Sequence, residues 1–150
     1  MNKSKKALLI VDVQPTFCER GSLPVEGGND VAKEIATYVA EDESYDCIIT
    51  TQDWHIDPGV HFSDQPNYQD TWPTHGVAGT DEANLHPELS NISDKINYSV
   101  KKGMFEAAYS GFEGRDGEES LKQILSKESI TTIDIVGLAF DHCVKATAID

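Results

Sequence analysis

Apolar positions in this chain fall into short blocks separated by polar stretches. Residues 7–13, ALLIVDV, form a nearly continuous apolar run with β-branched members, the pattern of a buried strand. Gly27-Gly28-Asn29-Asp30 supplies turn and helix-start chemistry, and Val31, Ile35, Tyr38 and Val39 follow at helical spacing. That spacing predicts a helix over about 30–42. Cys47–Thr51 reads as a second buried strand. Strand, helix, strand in this order makes a right-handed parallel crossover the expected connection.

From Asp53 to about Lys95 the regular pattern stops. Prolines stand at 58, 66, 73 and 87, yet both tryptophans and four of the five histidines lie here. A loop of this length inside a compact domain is usually functional or disordered, and the aromatic and histidine content argues against disorder. Regular pattern returns with a short strand at Ile96–Val100 and a helix over 118–127, whose apolar face is Leu121, Ile124 and Leu125. Ile133–Val136 reads as another buried strand, and a helix is expected to open near Asp141-His142-Cys143. The alternation predicts a single α/β domain over 1–150: an open, mostly parallel sheet with helices on both faces.

In such sheets ligands bind beyond the carboxyl ends of the strands. Asp12 ends the first strand, Asp53 and His55 follow the second, Lys101 and Lys102 the third, and Cys143 the fourth. The chemically able residues therefore share one edge. Cys143, at a strand-to-helix turn, sits where free backbone N–H groups and the helix dipole favour a thiolate. The backbone amides of Ala139 and Cys143 are candidates for holding an oxyanion. Asp12 is a candidate general acid/base, and Lys102 the cation that balances both charges. Cys18 and Cys47 read as packing residues. A second constellation is Asp53, His55, His61 and His75, a donor set suited to zinc, manganese or iron. Asp53 and His55 alternate by two, so an extended chain points both to one side. His86 and His142 fit neither set.

Composition narrows the field. With 26 acidic against 12 basic residues the net charge is −14, which disfavours nucleic acid and an anionic membrane as partners. The longest apolar run is far short of a membrane span or a signal-peptide core. Three cysteines do not describe a disulfide framework, so a cytoplasmic protein is expected.

Five stretches together resemble the nicotinamidase/pyrazinamidase branch of the isochorismatase-like cysteine hydrolases: IVDVQPTFC at 10–18, TQDWHIDPGVHFS at 51–63, WPTHGVAGT at 72–80, KKGMFEAAYSGFEG at 101–114 and VGLAFDHCV at 136–144. The resemblance implies a catalytic triad of Asp12, Lys102 and Cys143, with Lys102 chosen over Lys101 by counting back from AYSGFEG. It implies metal ligands Asp53, His55 and His75, with His61 as a fourth in some members. Phe17, Trp72 and Tyr109 match positions that enclose a pyridine ring, and Leu138–Ala139 matches the oxyanion turn. The implied reaction is hydrolysis of nicotinamide to nicotinate and ammonia through a thioester, with pyrazinamide as a second substrate, in NAD salvage. The implied cofactor is a divalent metal, zinc ahead of manganese or iron, and self-association into a homo-oligomer is left open.

Two features depart from the family pattern. Gly76 stands where many relatives carry a cysteine, a change expected to be harmless. Relatives also continue through further strand and helix, so the sequence is expected to be cut short at Asp150. Three other readings stay open at this point: a related hydrolase of another small amide, a metallohydrolase independent of Cys143, and a metal-binding module without turnover.

Overall fold

The computed structural model describes residues 5–42, 44–57, 59–68, 71–104, 111–138 and 147. Its centre is a six-stranded sheet, ordered β5-β4-β3-β2-β1-β6, made of β1 (Lys5–Val11), β2 (Cys47–Asp53), β3 (Tyr98–Lys102), β4 (Arg115–Asp116), β5 (Glu119–Ser120) and β6 (Ile130–Gly137). The run β3-β2-β1-β6 is parallel, and β4 and β5 add an antiparallel edge. Among the described residues, helix α1 (Gly28–Glu41) and helix α2 (Leu121–Lys127) pack against this sheet.

Side chains alternate along a strand, so the continuous apolar run of β1 feeds two cores at once. Leu8 and Ile10 pack with Ile48 against Ala32, Ile35, Ala36 and Val39 of α1. Leu9 and Val11 pack with Ile49 and Val100 against Leu121 and Ile124 of α2. The sheet is thus covered on both faces, as the pattern predicts. Tyr38 is the exception on α1: it is exposed, and its hydroxyl meets that of Tyr45 at 2.7 Å.

Element bounds differ in places. The third strand runs over Tyr98–Lys102, two residues later than expected, so Lys102 belongs to the strand instead of following it. The helix expected over 118–127 begins only at Leu121, because Ser120 caps it and Arg115–Ser120 fold into a tight hairpin around Gly117. A capping box closes that start: Ser120 Oγ accepts from Gln123 N–H, and Gln123 accepts from Ser120 N–H. The long stretch after β2 is ordered by 3₁₀ turns at Gly59–His61, Asp81–Ala83 and Pro87–Lys95. No helix among the described residues is long and apolar enough to cross a membrane.

Candidate functional site: a shared lysine between an aspartate and a histidine cluster

The site gathers at the carboxyl ends of the parallel strands. Asp12 is the first residue past β1, and its φ of 53° turns the chain out of the sheet. Aspartate tolerates that left-handed conformation better than most residues. Its backbone N–H donates to Thr51 O at 3.0 Å, and the Thr51 hydroxyl donates to Asp12 Oδ1 at 2.9 Å. Both residues are buried, so the carboxylate is fixed by β2 as well as by its own strand.

Asp53 ends β2 directly opposite Lys102 of β3. Register therefore dictates the ion pair. Lys102 Nζ lies 2.6 Å from Asp53 Oδ1 and 3.1 Å from Asp12 Oδ2, and only 1% of Lys102 is exposed. A buried ammonium needs this compensation. Burial works against the Asp53 carboxylate. The charge of Lys102, followed by contacts from His55 and His75, outweighs it and holds Asp53 well below the usual carboxylate range.

Past β2 the chain doubles back twice and delivers three histidines. His55 bridges to Val77, with His55 N–H donating to Gly76 O at 2.9 Å. Phe62 bridges to Trp72, with Trp72 N–H donating to His61 O at 2.8 Å. These short pairings draw His55, His61 and His75 together, all buried, with one ring nitrogen of each within 4.8 Å of the others. Asp53 Oδ2 lies 3.5 Å from both His55 Nε2 and His75 Nε2.

The donor set fits a divalent cation. His55 Nδ1 faces Gly103 O at 2.6 Å and His75 Nδ1 faces Pro73 O at 2.8 Å. A carbonyl only accepts, so each Nδ1 carries a proton there, and Nε2 is the ring nitrogen turned toward the cluster. His55 Nε2 is buried with no hydrogen-bond partner among the described residues. Burial, then the neighbouring His55 and His75, push His61 down to about 4, so its ring is neutral at physiological pH. A neutral imidazole at His61 beside the ionised Asp53 carboxylate suits metal ligation.

Phe17 is buried with its ring centroid 5.7 Å from that of His75, and Trp72 is buried beside His61. Two of the three expected ring-enclosing residues, Phe17 and Trp72, thus lie beside the histidine cluster. Cys143, Ala139, Tyr109 and His142 lie outside the described residues. Cys18 and Cys47 are packed in the two cores, where burial first, with acidic neighbours, pushes each thiol up to about 11. His86 is structural: it caps the Pro87–Lys95 turn through Glu88 N–H and meets Asn29 Oδ1 at 2.7 Å. Lys101 stacks on Trp54, its Nζ 4.0 Å from the ring centroid.

Three features escape sequence reasoning. Phe62 sets its ring 5.2 Å from His55 and 5.4 Å from His75, closing the cluster on one side. Lys102, expected to balance Asp12 and Cys143, also pairs with Asp53. Gly76 adopts φ of 55°, and a Cβ there would fall 2.9 Å from Asp53 Cβ.

Residues 6–150 match the isochorismatase domain, and the chain belongs to that family. Within it, the chain is 47% identical over 146 residues to the nicotinamidase/pyrazinamidase of Mycobacterium tuberculosis, covering 97% of this chain and 77% of that protein. Among solved structures, the pyrazinamidase of Pyrococcus horikoshii in complex with zinc matches with a TM-score of 0.76 at 30% identity, over 97% of this chain and 77% of that one. PnC1 of L. infantum in complex with nicotinate matches with a TM-score of 0.82 at 30% identity, over 100% and 75%.

Proposed function

We propose that this protein hydrolyses nicotinamide to nicotinate and ammonia, and accepts pyrazinamide, as a metal-dependent cysteine amidohydrolase. One observation carries the reading: Lys102 joins Asp12 to Asp53, and Asp53 borders His55 and His75 of a buried three-histidine cluster. An acid/base pair and a metal-ligand set on one strand edge are what this reaction needs. The M. tuberculosis relative named nicotinamidase/pyrazinamidase and the structures holding zinc and nicotinate support it.

In the proposed reaction Cys143 is the nucleophile. Asp12 takes its proton, and the thiolate attacks the carboxamide carbon. Backbone amides of Ala139 and Cys143 hold the oxyanion that forms. Asp12 then returns the proton to the departing amine, so that ammonia leaves and a thioester remains on Cys143. Water activated by Asp12 hydrolyses the thioester and frees nicotinate and the thiol. Lys102 stabilises the charged Asp12–Cys143 pair. Phe17, Trp72 and Tyr109 enclose the pyridine ring. Asp53, His55, His61 and His75 are the residues that would hold a divalent metal, with zinc the first choice. When bound, that ion supplies a Lewis-acidic anchor for the ring nitrogen. A cytoplasmic role in NAD salvage belongs to the same proposal.

The test is ammonia release from nicotinamide by zinc-loaded protein, compared with Cys143→Ala. We expect turnover in the first and none in the second, at equal zinc content. Full activity in the variant would hand the reaction to a metal-bound water and overturn the assignment.

A further inference from the structure

We infer that the segment after β1 positions the metal ligands: Gln14 holds Asp53 in place, and Thr16 holds the turn that carries His75. This rests on the metal reading of the histidine cluster and adds two residues that touch neither substrate nor reacting atoms.

The need arises from unequal strand lengths. In the β1–β2 register Val11 stands opposite Thr51, so the last two residues of β2 extend beyond the end of β1. On its other side Asp53 is paired with β3. On this side its peptide groups would be buried without a neighbour, which is costly. The side-chain amide of Gln14 takes the place of the missing strand. Gln14 Oε1 accepts from Asp53 N–H at 2.9 Å, and Gln14 Nε2 donates to Asp53 O at 3.0 Å. An amide carries one acceptor and a two-proton donor, so it reproduces the pairing a peptide would give. The second amide proton goes to Ala83 O at 2.7 Å. Gln14 is itself fully buried, and its backbone N–H donates to Asp12 O at 3.0 Å. One side chain therefore fixes Asp53 relative to Asp12, the two carboxylates that share Lys102.

Two residues on, the same logic recurs. Thr16, fully buried, accepts from Gly76 N–H through its hydroxyl at 3.0 Å. Gly76 follows His75 and accepts the backbone bond from His55. Gln14 and Thr16 thus brace the metal-ligand loop at two points, and neither is explained by the triad or by ring binding.

Groups that brace metal ligands from behind typically change metal affinity by about 10–100-fold when removed. The experiment measures zinc affinity of the full chain by competition with a chromogenic chelator, and thermal stability of the same proteins without zinc. Gln14→Met should weaken zinc binding at least about tenfold. Gln52→Met is the control: Gln52 Nε2 donates to the same Ala83 O at 2.9 Å but leaves the Asp53 peptide alone. It should lower thermal stability comparably while shifting zinc affinity by less than about threefold, below the range expected for a bracing group. Thr16→Val, which keeps shape and loses the hydroxyl, should also weaken zinc binding, and it decides the matter if Gln14→Met does not fold. Unchanged zinc affinity in the folded variants, or an equal loss in Gln52→Met, would overturn the inference. Absence of zinc binding by the unaltered chain would overturn the metal reading and the inference with it.

Discussion

Lys102 Nζ sits closer to Asp53, at 2.6 Å, than to Asp12, at 3.1 Å. The cation expected to balance Asp12 is therefore held at least as closely by Asp53. Two halves of the site that are separate in sequence share one buried charge.

Replacing that charge should expose the coupling. In Lys102→Met two carboxylates stay buried beside a methylene chain, and breaking a buried ion pair costs about 3–5 kcal/mol. The pH dependence follows from Asp53, whose folded carboxyl is held well below the usual range. Its contribution to stability is present above its unfolded value, near pH 4 (about 3.9), and is lost as pH falls through the folded value. Urea unfolding of metal-free protein should show a wide gap between the two proteins at neutral pH that narrows as acid protonates Asp53. A gap of the same size under both conditions would remove the electrostatic explanation.

The strand ends were legible because chemistry interrupts hydrophobicity there. Asp12 breaks ALLIVDV, and Asp53 and His55 follow an apolar run, so one-edge clustering emerges from pattern alone. Lys102 shows the limit. The apolar block ends at Val100, so the pattern places Lys101 and Lys102 after the third strand. Its burial depends on two carboxylates that tertiary structure supplies, which moves the strand to Tyr98–Lys102. The hairpin at Arg115–Ser120 is too short and polar to carry a period-two signal. Gln14 left no trace, since a buried glutamine and a surface one look alike in sequence. The place of His61 depends on the Phe62–Trp72 bridge, a pairing with no periodic signature.

Cysteine reactivity should sort the three thiols. At neutral pH iodoacetamide should modify one site per chain, Cys143, because burial keeps Cys18 and Cys47 protonated with values near 11. Peptide mapping by mass spectrometry reads this directly. The same raised values predict an alkaline loss of stability. A thiol whose folded value lies above its unfolded one stabilises the fold below about pH 9, and that contribution disappears as pH rises towards 11. The melting temperature should fall over that window, and less steeply in Cys47→Val. Ready modification of Cys18 or Cys47 in the folded chain would contradict the packing assignment.

Gly76 should resist substitution. An L-residue in the left-handed region costs about 1–2 kcal/mol, and the new Cβ would also press on Asp53. Gly76→Ala should therefore lower the melting temperature and weaken zinc binding together. Calorimetry and chelator competition on the same preparation check it. A variant with both properties unchanged would mean the turn relaxes without disturbing Asp53.

Substrate choice tests what the metal does. If the ion anchors the ring nitrogen, benzamide should be a far poorer substrate than nicotinamide although their shapes nearly match. Misplacement of the reacting group by about 1 Å can cost about a hundredfold in rate, so a gap of that order in kcat/KM is expected. Pyrazinamide keeps a nitrogen in the corresponding place and should remain a substrate. His75→Ala removes a nitrogen from the three-histidine cluster. It should lower zinc affinity and narrow the gap between nicotinamide and benzamide, chiefly by slowing the former. Steady-state kcat/KM for the three amides on both proteins supplies the comparison, with zinc content measured alongside. Equal rates for nicotinamide and benzamide on the zinc-loaded protein would leave the ion a structural or directly catalytic role and remove it from ring recognition.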